Sequence, residues 1–277
     1  MRDESCVRFL QWALPHMRMR WPGFRKVRGQ VCKRLGRRIH QLGLEGESEY
    51  RRYLAGHPGE WETLDALTRV TISRFYRDRM VFACLAQDIL PALARQTLAR
   101  GADCLTVWSA GAGAGEEPYT VAMIWRLQVM ALFPDLRVHI IATDADATQC
   151  RRARRACYPY SGIKDLPAEW RHIAFTRQGE PEGHCLKPAY RGDIEFRVQD
   201  IRESMPPERF DLVLCRNLVF TYFDESLQCA LLRRIKDAMR AGAALVLGIH
   251  ERLPEAAAGF IAWSERLRIY RLEDDTR

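Results

Sequence analysis

Apolar residues recur at Val31, Leu35, Ile39 and Leu42, spaced i, i+4, i+8 and i+11. This stripe predicts one amphipathic helix flanked by Lys33, Arg34, Arg37 and Arg38. Shorter helical patterns cover 47–54 and 61–67, interrupted by His57-Pro58-Gly59. No strand-like run precedes residue 104, so residues 1–90 read as a small all-helical domain. Beyond Gly101 the texture changes. Residues 104–110 (CLTVWSA) make an apolar run of strand length, followed by Gly111-Ala112-Gly113-Ala114-Gly115 and a helical pattern over 116–132. A second strand, 138–143, ends on Asp144 and leads into a helix over 147–156. Strands at 194–198, 212–215 and 244–248 follow, with a helix over 226–239 before the last. This alternation predicts an α/β domain over 91–277 with a mainly parallel sheet. Residues 158–193 are too long for a plain loop and predict a small inserted subdomain.

With 277 residues, 47% of them hydrophobic and 28% charged, the chain has the composition of a globular protein rather than a disordered or fibrous one. No window of eighteen apolar residues occurs, which predicts no transmembrane span. The opening MRDESC is acidic and lacks a long apolar stretch, unlike a secretory leader. Nine scattered cysteines without a CxxC pair predict free thiols in a reducing cytoplasm and no metal site. The net charge of +8 is concentrated. Between Ser5 and Leu44 lie ten basic residues (Arg8, Arg18, Arg20, Arg25, Lys26, Arg28, Lys33, Arg34, Arg37, Arg38) and no acidic one, leaving −2 for the rest. A polyanionic partner is expected on this segment: an acidic protein, a nucleic acid or an anionic surface.

A strand, a glycine-rich turn and a helix make a nucleotide-type site at the carboxyl edge of a sheet. Several cofactors use such turns, and the residues that follow discriminate. A dinucleotide places its pyrophosphate on the helix N-terminus, where N–H groups and the dipole favour anions. Here the glycines run into Glu116-Glu117, which repel a pyrophosphate and attract a cation. S-adenosylmethionine carries a sulfonium and an ammonium and no phosphate. Asp144, 33 residues after Gly111, is placed to accept the ribose hydroxyls. Together these features favour the methyl donor over NAD.

Five blocks, TISRFYRD (71–78), VWSAGAGAGEEPYT (107–120), ATDAD (142–146), FDLVLCRNLVFTYFD (210–224) and LGIHE (247–251), resemble the signature blocks of CheR-type protein-glutamate O-methyltransferases. The segment KRLGRRIHQLGLEGESEYRRYL (33–54) resembles their helical N-terminal domain. The resemblance implies a Rossmann-like S-adenosylmethionine-dependent methyltransferase domain that esterifies glutamates of bacterial chemoreceptors. It implies that Thr71, Ser73 and Arg77 reach the methionine end of the donor, the Arg77 fork matching its carboxylate. Glu117 pairs with its amino group, Gly111 and Asp144 hold the turn and ribose, and Asp200 and Ile201 flank the adenine. Arg216 and Asn217 lie where donor and acceptor meet, with Tyr222 lining that site. The basic helical domain, Arg34, Arg37 and Arg38 included, is expected to dock the receptor's methylation helices.

Departures from the family pattern fall at Thr71 (usually Asn), Asp200-Ile201 (usually Asn-Leu), GIHE for GHSE, and one extra residue in CRNLVFTYF. They bear on the acceptor more than on the donor. A nucleic-acid acceptor is the alternative raised by the basic segment, but the [DN]PP[YF] clamp of amino-group methyltransferases is replaced here by Arg216-Asn217-Leu218. A small carboxylic acid as acceptor, or a non-catalytic adaptor that only binds the donor, are the remaining alternatives.

Overall fold

Helical periodicity is realised from the N-terminus. The computed structural model describes residues 3–71, 73–179, 183–255 and 257–273. Helices Asp3–His16, Trp21–Phe24, Arg28–Gln41, Glu47–Gly56 and Glu60–Thr68 form the first part of the chain. Val31, Leu35 and Ile39 are buried, as the stripe requires, alongside Phe9, Leu10, Tyr50 and Leu64. Contacts divide the chain into two units, one made of 1–72 with 219–228, the other of 73–218 with 229–277. Helices Arg79–Cys84 and Leu90–Ala99 belong to the larger unit, where Phe82, Leu85 and Leu93 join its core.

In the smaller unit, several arginines of the basic segment are engaged internally. Arg38 donates to both oxygens of Glu60 (2.9 and 2.7 Å), and the Tyr50 hydroxyl donates to Glu60 Oε1 at 2.7 Å. Arg34 donates to the carbonyls of Leu67 and Arg69. Arg18 pairs with Asp224, Arg28 with Asp3, and Arg20 caps the carbonyls of Phe220 and Thr221. Arg34 and Arg38 are thus half-buried and bonded within this unit. Arg25, Lys26, Lys33 and Arg37 remain exposed without a carboxylate partner among the described residues.

Among the described residues the larger unit has ten strands: β1 (Cys104–Ala110), β2 (Arg137–Asp144), β3 (Cys157–Tyr158), β4 (Phe175–Arg177), β5 (His184–Leu186), β6 (Ile194–Val198), β7 (Phe210–Leu214), β8 (Met239–Val246), β9 (Phe260–Ser264) and β10 (Ile269–Leu272). The main sheet has the order β6-β2-β1-β7-β8-β10-β9, parallel through the first five strands and antiparallel at the β10–β9 edge. Strand order reverses between β1 and β7, so the turn after β1 opens at the topological switch point where α/β sheets bind ligands. Asp211, 2% exposed, locks that crossing. It accepts the Thr106 N–H at 2.9 Å and pairs with Arg100.

The inserted segment forms a second, three-stranded sheet ordered β3-β5-β4, all antiparallel. Cys157 and Cys185 face each other across β3 and β5 and form a disulfide; Cys6 and Cys32 form another in the smaller unit. This corrects the expectation of free thiols throughout. Spacing conceals both pairs, because each joins residues that only folding brings together, 26 and 28 positions apart. The disulfides also remove the cysteine argument for a reducing compartment. Among the described residues no helix is long and apolar enough to cross a membrane, and no cluster of metal-ligating side chains occurs.

Candidate active site

The turn after β1 adopts left-handed backbone at Gly111 (φ 75°), Gly113 (φ 57°) and Gly115 (φ 93°), a region open to glycine at little cost. Two of these also lack room for a side chain. A Cβ on Gly111 lies 2.9 Å from Leu218 Cδ2, and one on Gly115 lies 2.9 Å from the Tyr119 ring. The N–H groups of the turn point inward. Gly111 and Ala112 donate to Thr143 O, Gly113 to Asp144 Oδ2 at 2.8 Å, and Gly115 to Ala112 O. A pyrophosphate site needs such donors aimed at the ligand. Four of the turn's N–H groups are instead bonded to the protein.

Glu116 and Glu117 open the helix Glu116–Ile124 but separate at once. Glu117 Oε1 accepts the Ser109 hydroxyl (2.9 Å) and Oε2 accepts Arg216 Nη1 (2.9 Å). Glu116 turns into the core, 6% exposed, with Oε2 lacking a partner. Burial holds its carboxyl above the ordinary glutamate range, against the Ser73 hydrogen bond and the Arg152 charge, which pull it down. The acidic pair expected from sequence is therefore one polar-site carboxylate and one core carboxyl.

Arg216, at the end of β7, is 3% exposed in its side chain. Besides Glu117 it reaches Asp78 Oδ2 at 2.5 Å and the carbonyl of Arg77 at 3.3 Å, and its guanidinium lies 5.1 Å from the Phe82 ring centre. One cation thus binds the RFYRD block to the glycine turn. The backbone around it is unusual. Tyr76 (φ 57°), Asp78 (φ 62°) and Asn217 (φ 56°) are three of the six non-glycine residues in left-handed conformation among the described residues. Such residues cost energy and concentrate at functional sites. Residue types alone conceal this signal, although Asn and Asp adopt the conformation more readily than most.

Asp144 closes β2 as expected, and its two oxygens accept the N–H groups of Gly113 and Asp146, both at 2.8 Å. Asp200 pairs with Arg202 (2.6 Å), and the carbonyls of Ile201 and Arg202 are held by Arg234. Ser73 meets Glu116, and the Tyr76 N–H donates to Thr120 Oγ1. The larger unit thus joins Ser73, Arg77, Gly111, Glu117, Asp144, Arg216 and Asn217 through one set of contacts, with Asp200 and Ile201 after β6. Thr71 and Tyr222 belong to the smaller unit. There Tyr222 packs on Phe24, ring centres 5.0 Å apart, and its carbonyl accepts the Arg20 N–H. Tyr222 is half-buried there.

The profile of the family described as "CheR methyltransferase, SAM binding domain" matches residues 71–268. Chemotaxis protein methyltransferase 2 of Pseudomonas aeruginosa is 32% identical, with 82% of this chain and 79% of that protein covered. The Chemotaxis protein methyltransferase of Escherichia coli is 29% identical over 81% of this chain and 76% of its own length. An uncharacterized 104.1 kDa protein of Rhodobacter capsulatus is 31% identical over 87% of this chain, which spans only 25% of that longer protein. The chain belongs to the CheR family and is an S-adenosylmethionine-dependent methyltransferase.

Proposed function

We propose that this methyltransferase forms methyl esters on glutamate carboxylates of an acidic helical protein, such as the cytoplasmic part of a chemoreceptor. The observation that carries this acceptor is the similarity, over about four-fifths of both lengths, to relatives named chemotaxis protein methyltransferases. When bound, S-adenosylmethionine supplies an electrophilic methyl group on a sulfonium. A glutamate carboxylate is already ionised at neutral pH, so the chain has to align and desolvate rather than remove a proton. In this reading Glu117 takes the donor's ammonium, and Arg216 holds that carboxylate in place. Arg77 offers its fork to the donor carboxylate and Asp144 receives the ribose. Asp200 and Ile201 flank the adenine.

The exposed cations Arg25, Lys26, Lys33 and Arg37 supply the docking charge for an acidic acceptor. Lys33 and Arg37 lie one helical turn apart on Arg28–Gln41, beside a groove that Gly29, Gly36 and His40 also line. An acceptor of this kind places the reaction in the cytoplasm.

The test uses methyl-labelled S-adenosylmethionine, an acidic chemoreceptor fragment and mild alkali. Esters release volatile methanol under these conditions, and alkali-labile label on the fragment supports the proposal. Label that survives alkali, or label found only on nucleic acid, overturns it.

A further inference from the structure

Glu251 ends the LGIHE block and is 3% exposed. A single carboxylate oxygen, Oε2, accepts two backbone N–H groups, from Asn217 at 2.8 Å and from Gly248 at 2.7 Å. The Glu251 N–H donates in turn to Gly248 O at 2.8 Å. One side chain thereby fastens the turn after β7 to the turn after β8. Asn217 sits in left-handed backbone, which costs energy even where asparagine adopts it more readily than most residues, so neighbouring bonds help to hold it. Gly248 is crowded: a Cβ there lies 2.5 Å from Asn217 Nδ2 and 2.9 Å from Glu251 Oε2.

The residues on either side of Asn217 contact Glu117 and Gly111, which the proposed function reads as donor-site residues. Arg216 reaches Glu117 and Asp78. Leu218 packs over Gly111, closely enough that a Cβ on that glycine meets its Cδ2 at 2.9 Å. If the Asn217 peptide rotates away from its left-handed state, the guanidinium and the leucine leave these positions together. Glu251, by accepting the Asn217 N–H, opposes that rotation. A carboxylate suits the task because charge-assisted hydrogen bonds to N–H groups are stronger than neutral ones, and one oxygen has lone pairs for both.

We propose that Glu251 is a positioning residue of the methyl-donor site, holding the Arg216-Asn217-Leu218 turn in the conformation that presents Arg216 to Glu117 and Leu218 to Gly111. This rests on the reading of Glu117 and Arg216 as donor-site residues. Substitution with glutamine leaves an oxygen able to accept both N–H groups, whereas alanine removes the acceptor. Aspartate keeps the charge but withdraws the oxygen by one methylene.

The experiment measures S-adenosylhomocysteine affinity by calorimetry for the wild type, Glu251→Gln, Glu251→Ala, Glu251→Asp and Glu117→Ala. It is run at a temperature where circular dichroism shows each variant folded. Loss of two buried hydrogen bonds behind the site is expected to weaken binding by Glu251→Ala and Glu251→Asp at least about tenfold, with Glu251→Gln within about threefold of wild type. Should Glu251→Ala fail to fold, the aspartate and glutamine variants decide by the same criterion. Wild-type affinity in folded Glu251→Ala or Glu251→Asp, with Glu117→Ala impaired, overturns the positioning role alone. A Glu251→Gln variant as weak as alanine also overturns it. Unimpaired Glu117→Ala, or no binding by the wild type, brings down the donor-site reading and this inference with it.

Discussion

At Glu117 a carboxylate meets a guanidinium and a hydroxyl, whereas one residue earlier the carboxyl of Glu116 faces the core with an oxygen unpaired. The consequence for pH dependence has a definite sign. Burial raises the Glu116 pKa in the folded state, so the unfolded chain loses this proton first as pH increases. Stability contributed by the neutral carboxyl is fully present below the ordinary glutamate range and is lost as pH rises through the folded value. Glu116→Gln, which stays neutral, is expected to gain stability relative to wild type at pH 8 and little at pH 4. Denaturant titrations at both pH values check this, and parallel behaviour of the two proteins contradicts it.

Residue chemistry was partly legible in sequence. Glu117 and Asp144 declare themselves by their distance from the glycines, because a turn after β1 and the end of a neighbouring parallel strand must lie side by side. The inward turn of Glu116 is set by which side of a helix start faces the core. The hold of Glu251 depends on two turns far apart in the chain. Neither follows from spacing.

At the level of elements, the parallel strands and their helices were readable because buried strands appear as apolar runs and the intervening helices keep their period. The β9–β10 hairpin escaped. Its strands sit at an edge, with Ile261 exposed and Phe260 half-buried, so neither apolar run nor clean alternation marks them. The β3-β5-β4 sheet escaped because its strands are only two or three residues long. In the smaller unit, part of the charge on the Arg28–Gln41 helix has internal partners, which spacing does not reveal. Glu60 is 5% exposed in its side chain and its pKa is lowered, chiefly by Arg38. Arg38→Ala is expected to destabilise this unit by about 3 kcal/mol, since it leaves a buried carboxylate without its cation. Thermal or denaturant melts measure it; a change below about 0.5 kcal/mol, the size of an exposed pair, contradicts it.

The Cys157–Cys185 link closes the inserted sheet beside Tyr158, whose hydroxyl donates to Ala114 O of the glycine turn at 2.7 Å. From the chain-entropy account of a loop this long, breaking it is expected to remove about 3 kcal/mol. Comparing Cys157→Ser/Cys185→Ser with Cys6→Ser/Cys32→Ser under non-reducing conditions assigns the effect to this bond. Equal stability of the first double variant and wild type contradicts it.

Across the whole molecule, charge is the property that composition conveyed most directly, and folding refines it. Of the ten basic residues between Ser5 and Leu44, Arg18, Arg20, Arg28, Arg34 and Arg38 have partners that belong to the fold. The field that remains outward comes from fewer cations, Lys33 and Arg37 prominent among them. Capture of an acidic acceptor is therefore expected to fall as salt rises and the charges are screened. Lys33→Glu/Arg37→Glu is expected to weaken acceptor capture at low salt while leaving S-adenosylhomocysteine affinity unchanged. Association rates measured against salt check this, and an unaltered rate for the double variant contradicts it.

The central claim is that the turn after β1 holds a cationic methyl donor and not a phosphate ligand. Calorimetric titration of the wild type and of Asp144→Ala with S-adenosylhomocysteine and with NAD tests it most directly. The expected result is saturable binding of S-adenosylhomocysteine, weakened at least about tenfold by Asp144→Ala, and no binding of NAD. Saturable NAD binding that Asp144→Ala disrupts, with S-adenosylhomocysteine inert, would contradict the claim.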